Sequence, residues 1–219
     1  MDVETFVKHL GAANQEILDR LAPAETLVAE SGGDLRLENL LKIALKNEFE
    51  ATELAARWLV TTDDVDIKMA LARQAGDEAK HYRLIVEHLR VLGVDLHGFD
   101  PLGQGYGPLF NYLDTLTEPI ERIAAGQFTR EAIAVVKNQQ FIDWCEAGGH
   151  TQTAALYRDI IQPDEAYHHL LGRDILLRLA TTPEAQERAT QAATHTLELA
   201  EELQHLALTR TGVHHAPGC

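Results

Sequence analysis

Apolar residues recur every three or four positions through almost the whole chain, and alternating β-branched runs are nearly absent. That period predicts an all-α protein. A first helical segment covers about residues 3–29 and is interrupted by Gly11 and Pro23. Ser-Gly-Gly-Asp at 31–34 ends it, with Asp34 placed to cap the next helix. Two long amphipathic helices follow, residues 35–60 and 65–93, on either side of Thr-Thr-Asp-Asp, and Gly93 closes the second. Residues 94–111, rich in Gly and Pro, read as an irregular crossover. A third helix is expected over 112–147, a Gly-Gly-His break at 148–150, and a fourth helix over 151–179. Thr182 and Pro183 open a fifth, about 183–210, by N-cap and first-turn preferences. The tail, 211–219, is expected to fray. Four long helices in two hairpins joined by one crossover form the core, about residues 35–180, of a single domain spanning 1–219.

Charge narrows the range of functions. Acidic residues outnumber Lys and Arg by 34 to 19, a net charge of -15. A surface that tracks phosphates needs the opposite balance, so no nucleic-acid partner is expected. Apolar runs are short and broken by charge, which excludes a membrane span. The first residues carry neither the basic nor the apolar region of an export signal. Two cysteines, Cys145 and Cys219, make no disulfide framework and no Cys-x-x-C. A cytoplasmic location is expected.

The chemistry sits in a repeated motif. Asp-Glu-x-x-His occurs at residues 77–81 and again at 164–168. Glu and His three apart lie on one helix face, so both can reach one metal ion. With 20 Glu and 11 His, about one Glu-x-x-His pair arises by chance, so the motif needs support from position. Three pairs exist: Glu78/His81, Glu165/His168 and Glu202/His205. Glu48 and Glu78 stand nearly equidistant from the first inter-helix turn, and Glu131 and Glu165 from the second. Each hairpin thus sets a Glu opposite a Glu-x-x-His, a partner the third pair lacks. Glu48 lies among Leu41, Ala44, Leu45, Ala51, Thr52 and Ala55, on the apolar stripe. Glu50, near Lys46, Asn47, Glu53 and Arg57, lies on the polar face. Glu131 is flanked by Phe128, Ala134 and Val135, whereas Glu202 has Glu198, His205 and Thr209 around it. Four bare carboxylates in a helical core would each cost several kcal/mol, about what two divalent cations would relieve.

With these six residues in this order, residues 36–180 resemble the ferritin-like di-iron carboxylate proteins. The resemblance implies a ferritin-like four-helix bundle with flanking N- and C-terminal helices. It implies two Fe ions, with Mn/Fe as an alternative: Glu78 and Glu165 bridge, Glu48 and His81 complete one ion, and Glu131 and His168 the other. His169 is an alternative to His168. Within that superfamily the Asp before each bridging Glu serves the opposite His, which implies Asp77 with His168 and Asp164 with His81. The stretch "ARQAGDEAKHYRLIVEHL" is similar to the tRNA hydroxylase and phenylacetyl-coenzyme A epoxidase branch. That similarity implies an oxidoreductase, a monooxygenase using O2 and an external electron donor on a small organic substrate, and a homodimer. The alternatives are a ferritin-like iron-oxidising, storage or peroxide-reducing protein, or a helical bundle without enzymatic activity. Heme-oxygenase-like di-metal oxidases share the length and helical content but lack the doubled motif. The gaps between paired Glu residues are unequal, unlike the near-symmetric hairpins of ferritins, and Pro163, two residues before Glu165, predicts a kinked helix beside the metals. Tyr82, Tyr167 and Trp144, near the ligands in sequence, are expected as core aromatics.

Overall fold

The structure, a computed structural model, describes residues 1–22, 27 and 36–209. Every regular element among the described residues is helical. Pro23, Asp34, Cys219 and the tail therefore lie outside what is described. Helix α1, Val3–Leu21, runs unbroken through Gly11 and starts at Asp2, whose carboxylate accepts the Thr5 N–H at 2.9 Å. Helices α2, Leu37–Thr61, and α3, Val65–Val91, pair along their length as the first hairpin. Asp64 caps α3 through the Ile67 N–H. Gly93, at φ +79°, turns the chain away at its end.

The crossover holds a short helix, α4, Pro108–Asp114. The third long helix does not begin at Tyr112 as the periodicity predicts. The chain breaks after α4 and restarts at Pro119, which has no N–H to continue a helix and holds Glu118 extended at ψ 134°. From there α5, residues 119–147, consists of Pro119–Ile123, a π-helical stretch Ala124–Arg130, and Glu131–Ala147. Its partner α6, residues 151–179, has the same construction: Thr151–Leu156, π-helical Tyr157–Ile161, and Gln162–Leu179. The irregularity predicted from Pro163 takes the form of this π turn, where the Gln162 N–H reaches back to the Tyr157 carbonyl. Helix α7, Pro183–Thr209, packs against α1 and the π stretch of α5.

Two small residues permit the close approach around that stretch. A Cβ on Gly126 would lie 2.6 Å from the Trp58 ring, and one on Gly172 would lie 2.6 Å from the Gln127 backbone. The apolar core is split into two layers. One collects Trp58, Ile67, Leu71, Phe128, Ile133 and Leu176 with residues of α1 and α7. The other collects Leu41, Leu45, Ile85, Leu89, Phe141 and Tyr157. Along α2 the layers are separated at Glu48, along α3 at Gln74, Glu78 and His81, and along α6 at Glu165 and His168. A buried polar slab therefore crosses the helices at mid-height. No helix among the described residues is long and apolar enough to cross a membrane.

Candidate metal centre

Burying carboxylates in a core is unfavourable unless each oxygen finds a partner. Here Glu48, Glu78, Glu131 and Glu165 are all buried, and His81 and His168 are fully enclosed. Their donor atoms form two groups. Glu48, Glu78, His81 and Glu165 make one; Glu78, Glu131, Glu165 and His168 make the other; within each, all atoms lie within 4.8 Å of one another. Glu78 and Glu165 belong to both. Ligand bonds of about 2.0–2.2 Å put two donors at most about 4.4 Å apart, so each group would need to close by only a few tenths of an ångström.

Imidazole orientation follows from the outer contacts. His81 Nδ1 faces inward, 3.3 Å from Glu48 and from Glu78 and 3.6 Å from Glu165. His168 Nδ1 also faces inward, 3.6 Å from Glu78 and 3.5 Å from Glu165. Each Nε2 meets an Asp of the opposite motif: His81 with Asp164 at 3.1 Å, His168 with Asp77 at 3.2 Å. Lys80 holds Asp164 at 2.5 Å, and Arg73 lies 3.3 Å from Asp77. His169 points elsewhere, its Nδ1 2.7 Å from the Phe128 carbonyl and its ring stacked on Phe128.

Without cations the cluster is electrostatically tense. Burial pushes the Glu48 carboxyl up to about 7, against the opposing pull of His81. Burial, then the neighbouring Glu78, Glu131 and Glu48, push Glu165 far above the carboxylate range. Burial alone would raise Glu78 too, but the hydrogen bond from His81 and the charges of His168, His81 and Arg130 pull it well below that range. Burial would lower His81, yet Glu48 and Glu78 lift it to about 12, so it serves as the cluster's cation. Three buried atoms still lack a hydrogen-bond partner: Glu131 Oε2, Glu165 Oε2 and His168 Nδ1. All three belong to the second donor group, and a cation there would satisfy them together. Oxygen and imidazole donors of this kind suit divalent first-row ions.

Several residues around the cluster escape the motif-based reading. Gln74 donates to Glu131 at 2.6 Å, and Gln127 donates to Gln74 at 2.6 Å. Gln74 stands four residues before Glu78, and Gln127 four before Glu131, so the same-face rule was sufficient to find both. Arg130 lies 3.1 Å from Glu131, a buried base that the apolar stripe gives no reason to expect. Tyr157, on the π turn of α6, is fully buried with an unpartnered hydroxyl. Burial, then Glu48, Cys145 and Glu165, raise its pKa far above the usual value. Glu50, expected on the polar face, is buried beneath the crossover, ion-paired to Lys46 and accepting the Gly107 N–H at 2.7 Å. Glu202 and His205 are exposed and stand apart from the cluster. Tyr82 packs on Phe49, Trp144 on Phe141 and His150, and Tyr167, 37% exposed, lies 3.6 Å beneath the Arg73 guanidinium.

No protein family matches the sequence, and no curated protein matches it. Among solved structures the chain is similar to a TenA homologue from Pyrococcus furiosus, with a TM-score of 0.64 at 17% identity. The similarity covers 92% of this chain and 99% of that one. It corrects the assignment to the ferritin-like di-iron carboxylate superfamily and to its tRNA hydroxylase and epoxidase branch. With that assignment fall the oxidoreductase and monooxygenase activities it implied, with O2 activation at a di-iron centre. The ferritin-like storage or peroxide-reducing alternative, drawn from the same superfamily, falls with them. The physical reason is that six residues on four helices constrain only those helices. Any two antiparallel pairs at core distance can bring such donors together, whereas the fold comparison extends over nearly the whole chain.

Proposed function

We propose that this protein binds two divalent metal ions in its helical core and acts as a metal-dependent enzyme on a small molecule. The observation that carries this reading is the pair of four-donor groups sharing Glu78 and Glu165, with three otherwise unsatisfied buried atoms in one of them. Glu48 and His81 would complete one site and Glu131 and His168 the other. Fe(II) and Mn(II) both suit this oxygen and imidazole donor set. Divalent ions held there would supply Lewis-acid polarisation of a substrate group.

The chain's own residues do the rest. Asp164 and Asp77 fix the two imidazoles with Nδ1 inward, the orientation a metal requires. Gln74 and Arg130 both donate to Glu131 Oε1 and hold that carboxylate in place. The apolar layers above and below exclude water, so a charge change at a bound substrate is felt strongly. Metal binding must displace the protons that Glu48, Glu165 and His81 hold in its absence, so affinity falls as pH is lowered.

Calorimetric titration of chelator-treated protein with Mn(II) tests the reading. Two ions per chain are expected, one after Glu48→Ala, one after Glu131→Ala, and none after Glu78→Ala with Glu165→Ala. A wild-type protein that stays folded and takes up no ion overturns it.

A further inference from the structure

A cavity of about 720 Å³ lies outside the metal cluster, between α2, the crossover, α5 and α7. It follows one face of α2 from Asn39 to Leu54. At 1.5 Å per residue that face is about 22 Å long. Its two ends differ chemically. The N-terminal end presents Lys42, Lys46 and Asn47; the far end presents Leu54, Leu109, Phe110 and Leu113.

Two of its cations are paired with carboxylates, and Asp100 keeps its charge on the rim. Lys46 is paired with Glu50, which also accepts the Gly107 N–H. Arg130, reaching the cavity from α5, donates to Glu131. Asp100 is exposed on the rim and turned to the Leu102 N–H at 2.9 Å. Lys42, half-buried, makes no ion pair or hydrogen bond among the described residues. An ammonium with no ion-pair partner among the described residues at one end of an elongated cavity, and an apolar wall at the other, match a ligand with one anionic head and one aliphatic tail. In a chain of net charge -15, that is a site for an anion on a surface which otherwise repels anions.

We propose that this cavity binds an aliphatic carboxylate, its head on Lys42 and its chain lying along α2 towards Leu54 and Phe110. Arg130 lines the cavity and also touches Glu131, so the bound chain passes one ion pair away from the metal cluster. The ligand's role as substrate of that cluster rests on the metal-dependent reading above; its binding does not.

The test is calorimetric titration of the chelator-treated full-length chain with decanoate, decanol and decylamine. Decanoate should bind at one per chain, at least tenfold more tightly than either analogue. Lys42→Ala should weaken decanoate at least tenfold while leaving decanol unchanged, and should keep the wild-type metal stoichiometry. Equal binding of decanol and decanoate, an unchanged decanoate affinity in Lys42→Ala, or no binding of decanoate would each overturn the proposal. Because decanoate binding is read on metal-free protein and metal uptake on Lys42→Ala, failure of this proposal and failure of the metal reading give different results.

Discussion

If the cluster is built to hold cations, removing them should make the protein less stable as the pH rises, opposite to the usual behaviour of a paired carboxylate. Glu48 carries the magnitude. Its carboxyl moves from 4.5 to about 7 on folding. A group with a raised folded pKa contributes stability that is complete below the unfolded value and is lost as the pH climbs through the folded one. At about 1.4 kcal/mol per pH unit, Glu48 alone accounts for roughly 3 kcal/mol lost between pH 4.5 and 7. Glu165, also raised, acts in the same direction. His81, lifted to about 12, begins to contribute a loss only above about pH 6.5 and again with the same sign. Glu78 and Asp164 are lowered, so their stabilisation disappears only below the ordinary carboxylate range and does not interfere. The assay is urea unfolding in excess chelator at pH 5 and pH 7.5. With a denaturant slope of about 2–3 kcal/mol/M, the midpoint should drop by about 1 M at the higher pH. With saturating Mn(II) the order should reverse, because the ions displace the same protons. Glu48→Gln should make the chelated curve shallower, leaving the part due to Glu165 and His81. A chelated midpoint that is level or rises over this range would refute the electrostatic account of the cluster.

Other consequences can be checked singly. Asp164→Ala or Asp77→Ala frees an imidazole and should lower metal affinity about 10–100-fold with little change in helix content, read by competition with a chromophoric chelator. Gln74→Leu leaves Glu131 without its shortest hydrogen bond and removes a longer one to the shared Glu78, so it should weaken the Glu131 metal step more than the other in a calorimetric titration. Gly172→Ala forces a methyl group into the Gln127 backbone and should cost about 1–3 kcal/mol, seen as a lowered melting temperature. His169→Ala, by contrast, should retain both ions, since that ring is stacked on Phe128 away from the donors.

Helices and hairpins are legible because α2, α3 and α7 keep an apolar stripe of period 3.6, interrupted by a few inward polar residues. The break before Pro119 was missed because the apolar pattern continues across it; a missing N–H leaves no mark on hydrophobic periodicity. The π stretches are invisible for a related reason, since one extra residue in a turn shifts a stripe without erasing it. Six candidate donors could be placed from mirror spacing about two turns, a property of any antiparallel hairpin. The same generality is why they misled about family: Glu78 and His81 report on one face of α3 and say nothing of how α1 and α7 wrap the core. Glu50 shows a further limit. Its helical neighbours are polar, and what buries it is Gly107, 57 residues away, in a segment whose path the periodicity does not specify.

The buried polar slab is proposed to hold two cations. The most direct measurement is metal content of freshly purified protein by mass spectrometry, beside the Glu78→Ala, Glu165→Ala double variant. About two ions per folded chain in the wild type and none in the variant is the predicted result. A folded wild-type protein that carries no metal and takes up neither Fe(II) nor Mn(II) would contradict it.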